Sequence, residues 1–262
     1  MGAPEVKGGD ARLFPPHHGP VRHLALRRAV IATCREMNRL GINQGRSGNV
    51  SVRVPEGFLI TGSGIAYEAM RPQHIVEMDL DGGYRGGTLP SSEWRLHLDL
   101  MRTRPEAQAV VHTHSTHATA LSCLRLGIPA FHYMVAIAGG ADIRCADYAT
   151  FGTAALSRQV LAAMEGRTAC LLANHGVVAI GGSLEEALAR AVEVETLAKQ
   201  YWIARTLGRP VLLDAAEMAR VLARFRSYGQ QRREDDTDAI AMPVRRDQPR
   251  RANRRTTRAR PR

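Results

Sequence analysis

Lysine is almost missing from this 262-residue sequence: of 36 basic residues only Lys7 and Lys199 are lysines. Lys7 lies in a Gly/Pro-rich amino-terminal stretch and Lys199 on an amphipathic helical pattern beside Gln200 and Tyr201. Chemistry that needs an amine nucleophile, such as a Schiff base, therefore has essentially no candidate. No GxxxxGK[ST] occurs, which excludes a P-loop, and Gly62-x-Gly64 lacks the third glycine of a dinucleotide fingerprint because Tyr67 stands there. No apolar run approaches the ~20 residues needed to span a bilayer. Met1–Pro20 lacks the apolar centre of a secretory signal, and Val6 stands where a myristoylation motif wants Ser or Thr. The four cysteines, Cys34, Cys123, Cys145 and Cys170, form no CxxC pair. A chain of this length needs no disulfide framework, so a reducing cytoplasm is the expected compartment.

What is present is uneven charge. Gln231–Arg262 holds eleven Arg against five acids, or +6 of the total +11. That segment has too few apolar residues to offset its ordering entropy and reads as a disordered tail. Weak nucleic-acid binding through counterion release rests on it alone, and a solvated extension is the simpler reading. The expected organisation is a flexible extension over 1–20, one folded domain over 21–229 and the Arg-rich tail over 230–262.

Within the domain, apolar spacing predicts a helix over Val21–Leu40. Two short strands, Asn49–Val54 and Gly57–Thr61, flank a Pro55-Glu56-Gly57 turn. Ser91 or Ser92 caps a helix over Glu93–Thr103. A strand over Ala109–His114 precedes a helix to Leu124, and a helix over Thr153–Met164 precedes strands at Ala169–Ala173 and Gly176–Ile180. Ser183 and Glu186 form a capping box for a long helix to about Leu207, and Asp214 caps a last one to about Ser227. Helices and strands alternate without internal repeat, giving a three-layer α/β domain. Alternation by itself leans towards a parallel sheet.

His112-Thr113-His114 carries the first chemical signal. In a strand, residues i and i+2 face one side, so both imidazoles enter the same space. His175, just after an apolar strand, and Glu93, in the first turn of a capped helix, complete an N/O donor set of the kind that holds zinc. Neutral imidazoles would leave most of the ion's charge to polarise a substrate oxygen. An HxH pair alone occurs equally well in an ordinary polar strand. His117 reads as structural; His97, one helical turn after Glu93, reads either as a residue that supports the metal ligands or, the simpler reading, as a partly exposed helix residue.

Three loops offer small residues and backbone N–H groups: Gln44–Asn49, Thr61–Gly64 and Ser91-Ser92. Each alone is a turn; three on one chain suggest a phosphate cradle built without lysine.

Together these segments resemble the class II aldolase/adducin family. The matching stretches are NQGRSGNVSVR, LPSSEWRLH, AVVHTHSTH, IPAFHYM, CADYATFGT, NHG and RFRSYG, spread over about Val21 to Gly229. The resemblance implies a three-layer α/β/α domain with a nine-stranded, largely antiparallel sheet, a homotetramer with its site at a subunit interface, and one Zn2+ per subunit. It implies Glu93, His112, His114 and His175 as metal ligands, with Glu93 doubling as acid/base. It places phosphate contacts at Gly48, Asn49, Ser63, Gly64, Ser91 and Ser92, and the aldehyde side at Phe151 and Tyr228. Tyr133 matches the catalytic tyrosine that reaches a neighbouring subunit's site. Arg46 departs from the Thr frequent in the family. The implied activity is cleavage of a ketose 1-phosphate, such as L-fuculose 1-phosphate or a deoxypentulose or methylthioribulose 1-phosphate, to dihydroxyacetone phosphate and an aldehyde. Pentulose-phosphate 4-epimerases, methylthioribulose-phosphate dehydratases and sugar-acid phosphate decarboxylases share the scaffold, and Tyr133 with the HYM and YATFGT segments favours the aldolase over them. Adducin-like members are binding modules; the complete set of four ligands argues against that role. The expected partner is a small sugar phosphate, not a membrane or nucleic acid.

Overall fold

The computed structural model describes residues 12–14 and 21–225. The proposed extension over 1–20, apart from 12–14, lies outside these, as do Tyr228, the carboxy-terminal end of the last predicted helix and the Arg-rich tail. The described strands are β1 (Arg12–Phe14), β2 (Asn49–Val54), β3 (Gly57–Thr61), β4 (Ile75–Met78), β5 (Gly83–Arg85), β6 (Ala109–Thr113), β7 (Cys145–Ala146), β8 (Ala169–Leu172) and β9 (Gly176–Gly181). They form one sheet in the order β1-β5-β4-β3-β2-β6-β9-β8-β7. The α-helices are α1 (Leu24–Arg39), α2 (Trp94–Thr103), α3 (Thr116–Cys123), α4 (Ala154–Ala163), α5 (Leu184–Leu207) and α6 (Ala215–Phe225), with a 3-10 turn over Tyr133–Ala138.

The parallel sheet suggested by alternation is not what forms. Only the edge pairs β1–β5 and β7–β8 are parallel; every other pairing is antiparallel. The physical reason lies in the connections. Val54 pairs with Gly57 across Pro55-Glu56, and Leu172 pairs with Gly176 across a three-residue loop; links this short can only reverse the chain. The helices cover the faces of the sheet, and only α4, between β7 and β8, directly links two parallel neighbours.

Strand side chains alternate between two cores. Val50, Val52, Val54, Val111, Val177 and Ala179 join α1, α3 and α5 on one face. Phe58, Ile60, Val110, Val178 and Ile180 join α2 and α4 on the other. Each fully buried aliphatic side chain contributes roughly 1.5–3 kcal/mol, so a strand slip that exchanged the two faces would be heavily penalised. On β2 the second face is polar: Asn49 and Ser51 are buried there among apolar neighbours. The predicted elements are recovered, with α1 beginning at Leu24 instead of Val21. Asp214 caps α6 as expected, its Oδ1 accepting from Glu217 N at 2.7 Å.

Candidate metal centre

Central strands β2 and β6 set the site. Their register places Asn49 opposite His112. His114 lies just past β6, and His175 sits in the β8–β9 loop after Asn174, whose φ of 52° is left-handed. Glu93 is one residue earlier than the sequence suggested: it occupies the N-cap of α2, not its first turn. Its backbone N–H donates to Ser91 Oγ at 3.3 Å. A carboxylate here faces the positive end of the helix dipole.

These four residues converge. Their donor atoms lie within 4.8 Å of one another. Glu93 Oε2 is 3.1 Å from His112 Nε2, Glu93 Oε1 is 3.2 Å from His175 Nε2, and His112 Nε2 is 3.0 Å from His114 Nε2. Tetrahedral zinc–imidazole bonds near 2.05 Å separate neighbouring ligand atoms by roughly 3.3 Å, so the spacing is that of a single coordination sphere. The three imidazole centroids stand 4.9, 4.9 and 5.0 Å apart.

Two further observations test whether a cation fits. Glu93 Oε1 is buried and, among the described residues, meets nothing but the His175 ring, whose Nε2 stands 3.2 Å away without making a well-directed hydrogen bond, an arrangement that costs free energy unless something positive meets it. His112 Nδ1 lies 2.8 Å from the Val177 carbonyl, so Nδ1 carries a proton and donates it. In the neutral ring Nε2 is then left as a lone pair aimed into the cluster. A divalent ion with N/O preference fits these donors.

The electrostatics agree. Burial acts to raise the Glu93 pKa, but the neighbouring His112 and His175 overcome it and hold the carboxyl well below its usual range. Burial acts to lower the His112 pKa, while Glu93 and the Val177 carbonyl win and raise it. His114, desolvated and facing His112 and His175, is pulled down to about 4.

His97 is not the partly exposed residue its helix position suggested. It is 0% exposed, with Nε2 2.5 Å from Asn49 Oδ1 and Nδ1 2.7 Å from Ser51 Oγ; Asn49 Nδ2 donates to Glu93 Oε2 at 2.9 Å. The available signal was the Asn49-x-Ser51 pair on one strand face, since buried polar groups demand a polar partner. Asn43 was also missed. Its Oδ1 accepts from His114 N at 3.3 Å and from Ser51's near neighbour in sequence, Ser47 Oγ, at 3.2 Å, tying the glycine loop to the histidine strand. His117 is structural as expected, its Nδ1 2.7 Å from Glu195 Oε1.

Burial pulls the His97 pKa from 6.5 to about 3. Between those values the unfolded chain binds a proton that the folded chain refuses, so stability falls as pH drops from 6.5 towards 3, by roughly 4–5 kcal/mol for this residue. Acid unfolding followed by circular dichroism should therefore be shallower, by about one proton, in His97→Gln; an unchanged slope would show that His97 does not titrate this way.

The three small-residue loops gather at the same end of the sheet. Gly48 is buried, and a Cβ there would stand 2.5 Å from the His112 carbonyl oxygen, so only glycine permits this approach. Arg46 Nη1 donates to the Gly64 carbonyl at 2.9 Å, joining the first loop to the second. Ser63 N bonds to Leu89 O and Ser91 N to Thr61 O, joining the second to the third. Phe151 is 63% exposed, and its neighbour Gly152 lies so close to Ser92 that a Cβ would be 2.7 Å from the Ser92 carbonyl. Ser92 is exposed. Tyr133, 48% exposed at the start of the 3-10 turn, is outside the metal cluster of its own chain. Tyr228 lies outside the described residues.

A buried glutamate and three imidazoles at one end of an antiparallel-rich α/β sheet form a cluster that could hold a metal ion. The Class II Aldolase and Adducin N-terminal domain family matches residues 28–202, and the chain belongs to this family. It is 54% identical over 210 residues to the 5-methylthioribulose-1-phosphate/5-deoxyribulose-1-phosphate aldolase of Rhodospirillum rubrum, covering 80% of this chain and 95% of that one. It is 51% identical over 205 residues to the L-fuculose phosphate aldolase of Escherichia coli K12, covering 78% and 95%. Among solved structures, an L-fuculose 1-phosphate aldolase superposes with a TM-score of 0.75 at 41% identity, covering 77% of this chain and 96% of that one. The chain is thus an aldolase-family enzyme, a lyase, and among its described residues no helix is long and apolar enough to cross a membrane.

Proposed function

We propose that this chain is a zinc-dependent aldolase that cleaves a ketose 1-phosphate to dihydroxyacetone phosphate and an aldehyde. The observation that carries the reading is the convergence of Glu93, His112, His114 and His175 beside three linked small-residue loops. When bound, one zinc ion per subunit would supply Lewis acidity, stabilising negative charge on substrate oxygens as the C3–C4 bond breaks. The phosphate is held by Gly48, Asn49, Ser63, Gly64, Ser91 and Ser92, mostly through hydroxyl and amide groups, with Arg46 adding positive charge at the rim. In the condensation direction Glu93, held ionised in the free site, takes the proton at C3 of dihydroxyacetone phosphate; in cleavage the carboxylic acid so formed returns it to C3.

In condensation the Tyr133 hydroxyl gives its proton to the aldehyde oxygen that becomes the C4 hydroxyl, and in cleavage the tyrosinate takes that proton back. Its exposure suits a role in a neighbouring subunit of a homotetramer. Phe151, on the loop beside Ser92, and Tyr228 line the side where the aldehyde leaves. The setting is cytoplasmic. The relatives named for 5-deoxyribulose, 5-methylthioribulose and L-fuculose phosphates differ in the aldehyde half alone, so these three define the substrate range to test.

A panel of these three ketose 1-phosphates, assayed for dihydroxyacetone phosphate release, tests the reading. At least one should be cleaved; release from none would overturn it. Tyr133→Phe should slow cleavage of that substrate by about 10²–10⁴, and a normal rate would remove Tyr133 from the reaction.

A further inference from the structure

Behind the metal ligands lies a buried chain of four polar groups, Ser51–His97–Asn49–Glu93. Its polarity follows from its end. Glu93 is ionised and can only accept, so the Asn49 amide must present Nδ2 to Oε2, at 2.9 Å. Oδ1 of the same amide then faces His97 Nε2 at 2.5 Å, which requires the proton of His97 to sit on Nε2. Nδ1 is left as an acceptor and takes the Ser51 hydroxyl at 2.7 Å. His97 and Ser51 are both fully buried, so no water competes for these bonds, and reversing any one of them would leave a buried group unpaired.

We infer that His97 is a positioning residue: through the Asn49 amide it fixes the carboxylate of Glu93 so that Oε2 is tethered and Oε1 faces the reaction space. Asn49 keeps one more Nδ2–H and sits at the mouth of the glycine loop, so the amide that steadies Glu93 also borders the place proposed for the phosphate. A rotated amide would turn its carbonyl oxygen towards the carboxylate, repelling it and displacing the acid/base group. His97 prevents that rotation because its Nε2–H can pair only with Oδ1.

The inference rests on the reading of Glu93 as the acid/base group, and its tests separate the two. In the metal-loaded full-length protein, His97→Phe should lower kcat by about 10–100-fold, the range for losing a partner that orients a ligand. KM for the ketose phosphate should change less than about threefold. His97→Gln, whose amide nitrogen reaches the place of Nε2, should recover most of the loss. A folded His97→Phe enzyme with an unchanged kcat, or with its whole defect in KM, overturns the inference. Nitrogen-15 spectra of ring-labelled unmodified protein give a readout free of activity: the Nε2–H tautomer is expected at His97, and the Nδ1–H tautomer refutes the inference even if the Phe variant does not fold. If no ketose phosphate is cleaved, the proposed function fails while the tautomer still decides the hydrogen-bond chain.

Discussion

Glu93→Gln is expected to keep most of its bound metal and to lose proton exchange at C3 of dihydroxyacetone phosphate, with cleavage slowed by about 10²–10⁴. The change is nearly isosteric, and three imidazoles remain to hold the ion. The amide oxygen can still accept from Asn49 Nδ2, so the local geometry has no reason to collapse. What vanishes is a group that can carry a proton. In the unmodified site that group starts ionised, because the pull of His112 and His175 outweighs its burial. Deuterium wash-in at C3, followed by NMR alongside metal content by atomic emission, separates the outcomes. Exchange at the normal rate would falsify the base role; loss of exchange together with loss of metal would reassign Glu93 to ligation alone.

His112→Ala should empty the site. His112 is completely buried, its Nδ1–H is tied to Val177 O, and its Nε2 lies within 3.1 Å of both Glu93 Oε2 and His114 Nε2. Removing it deletes a ligand and the central spacer between two others. The loss of metal affinity should exceed the roughly 10–100-fold typical of a merely supporting partner, with activity falling in step. Metal uptake by the unmodified protein should also become weaker as pH falls, since the ion needs the His112 ring neutral while Glu93 and the Val177 carbonyl raise its pKa. His117→Ala is the control: its ring pairs with Glu195 and touches no ligand, so metal content should not change. Full metal occupancy in His112→Ala would mean the four residues do not share an ion.

Much of this was legible before any coordinates. Strand parity alone put His112 and His114 on one side, and a loop position after β8 freed His175 to meet them. Sheet direction was not legible from alternation, because helix-strand order says nothing about which strands become neighbours; the two tight loops after Val54 and Leu172 held that information. For His97 the supporting role was the lesser of two readings and the depth was not legible, because helical spacing from Glu93 gives an angle, not a depth. Its burial depends on β2 presenting Asn49 and Ser51 to that side, a contact between segments 46 residues apart in the case of Ser51. Glu93 was placed one position inside the helix instead of at its cap, a difference that follows from Ser91 accepting its N–H.

Because Asn49 and His112 are hydrogen-bonded neighbours across β2 and β6, the gap between the glycine loop and the metal ligands is a fixed ruler made of backbone. Side-chain substitution cannot lengthen it. Any molecule gripped at both marks must carry the same number of atoms between them, whatever is attached beyond. In the proposed reaction, divergence towards new molecules then falls to the unruled end, where Phe151 rides on an exposed loop outside the strands.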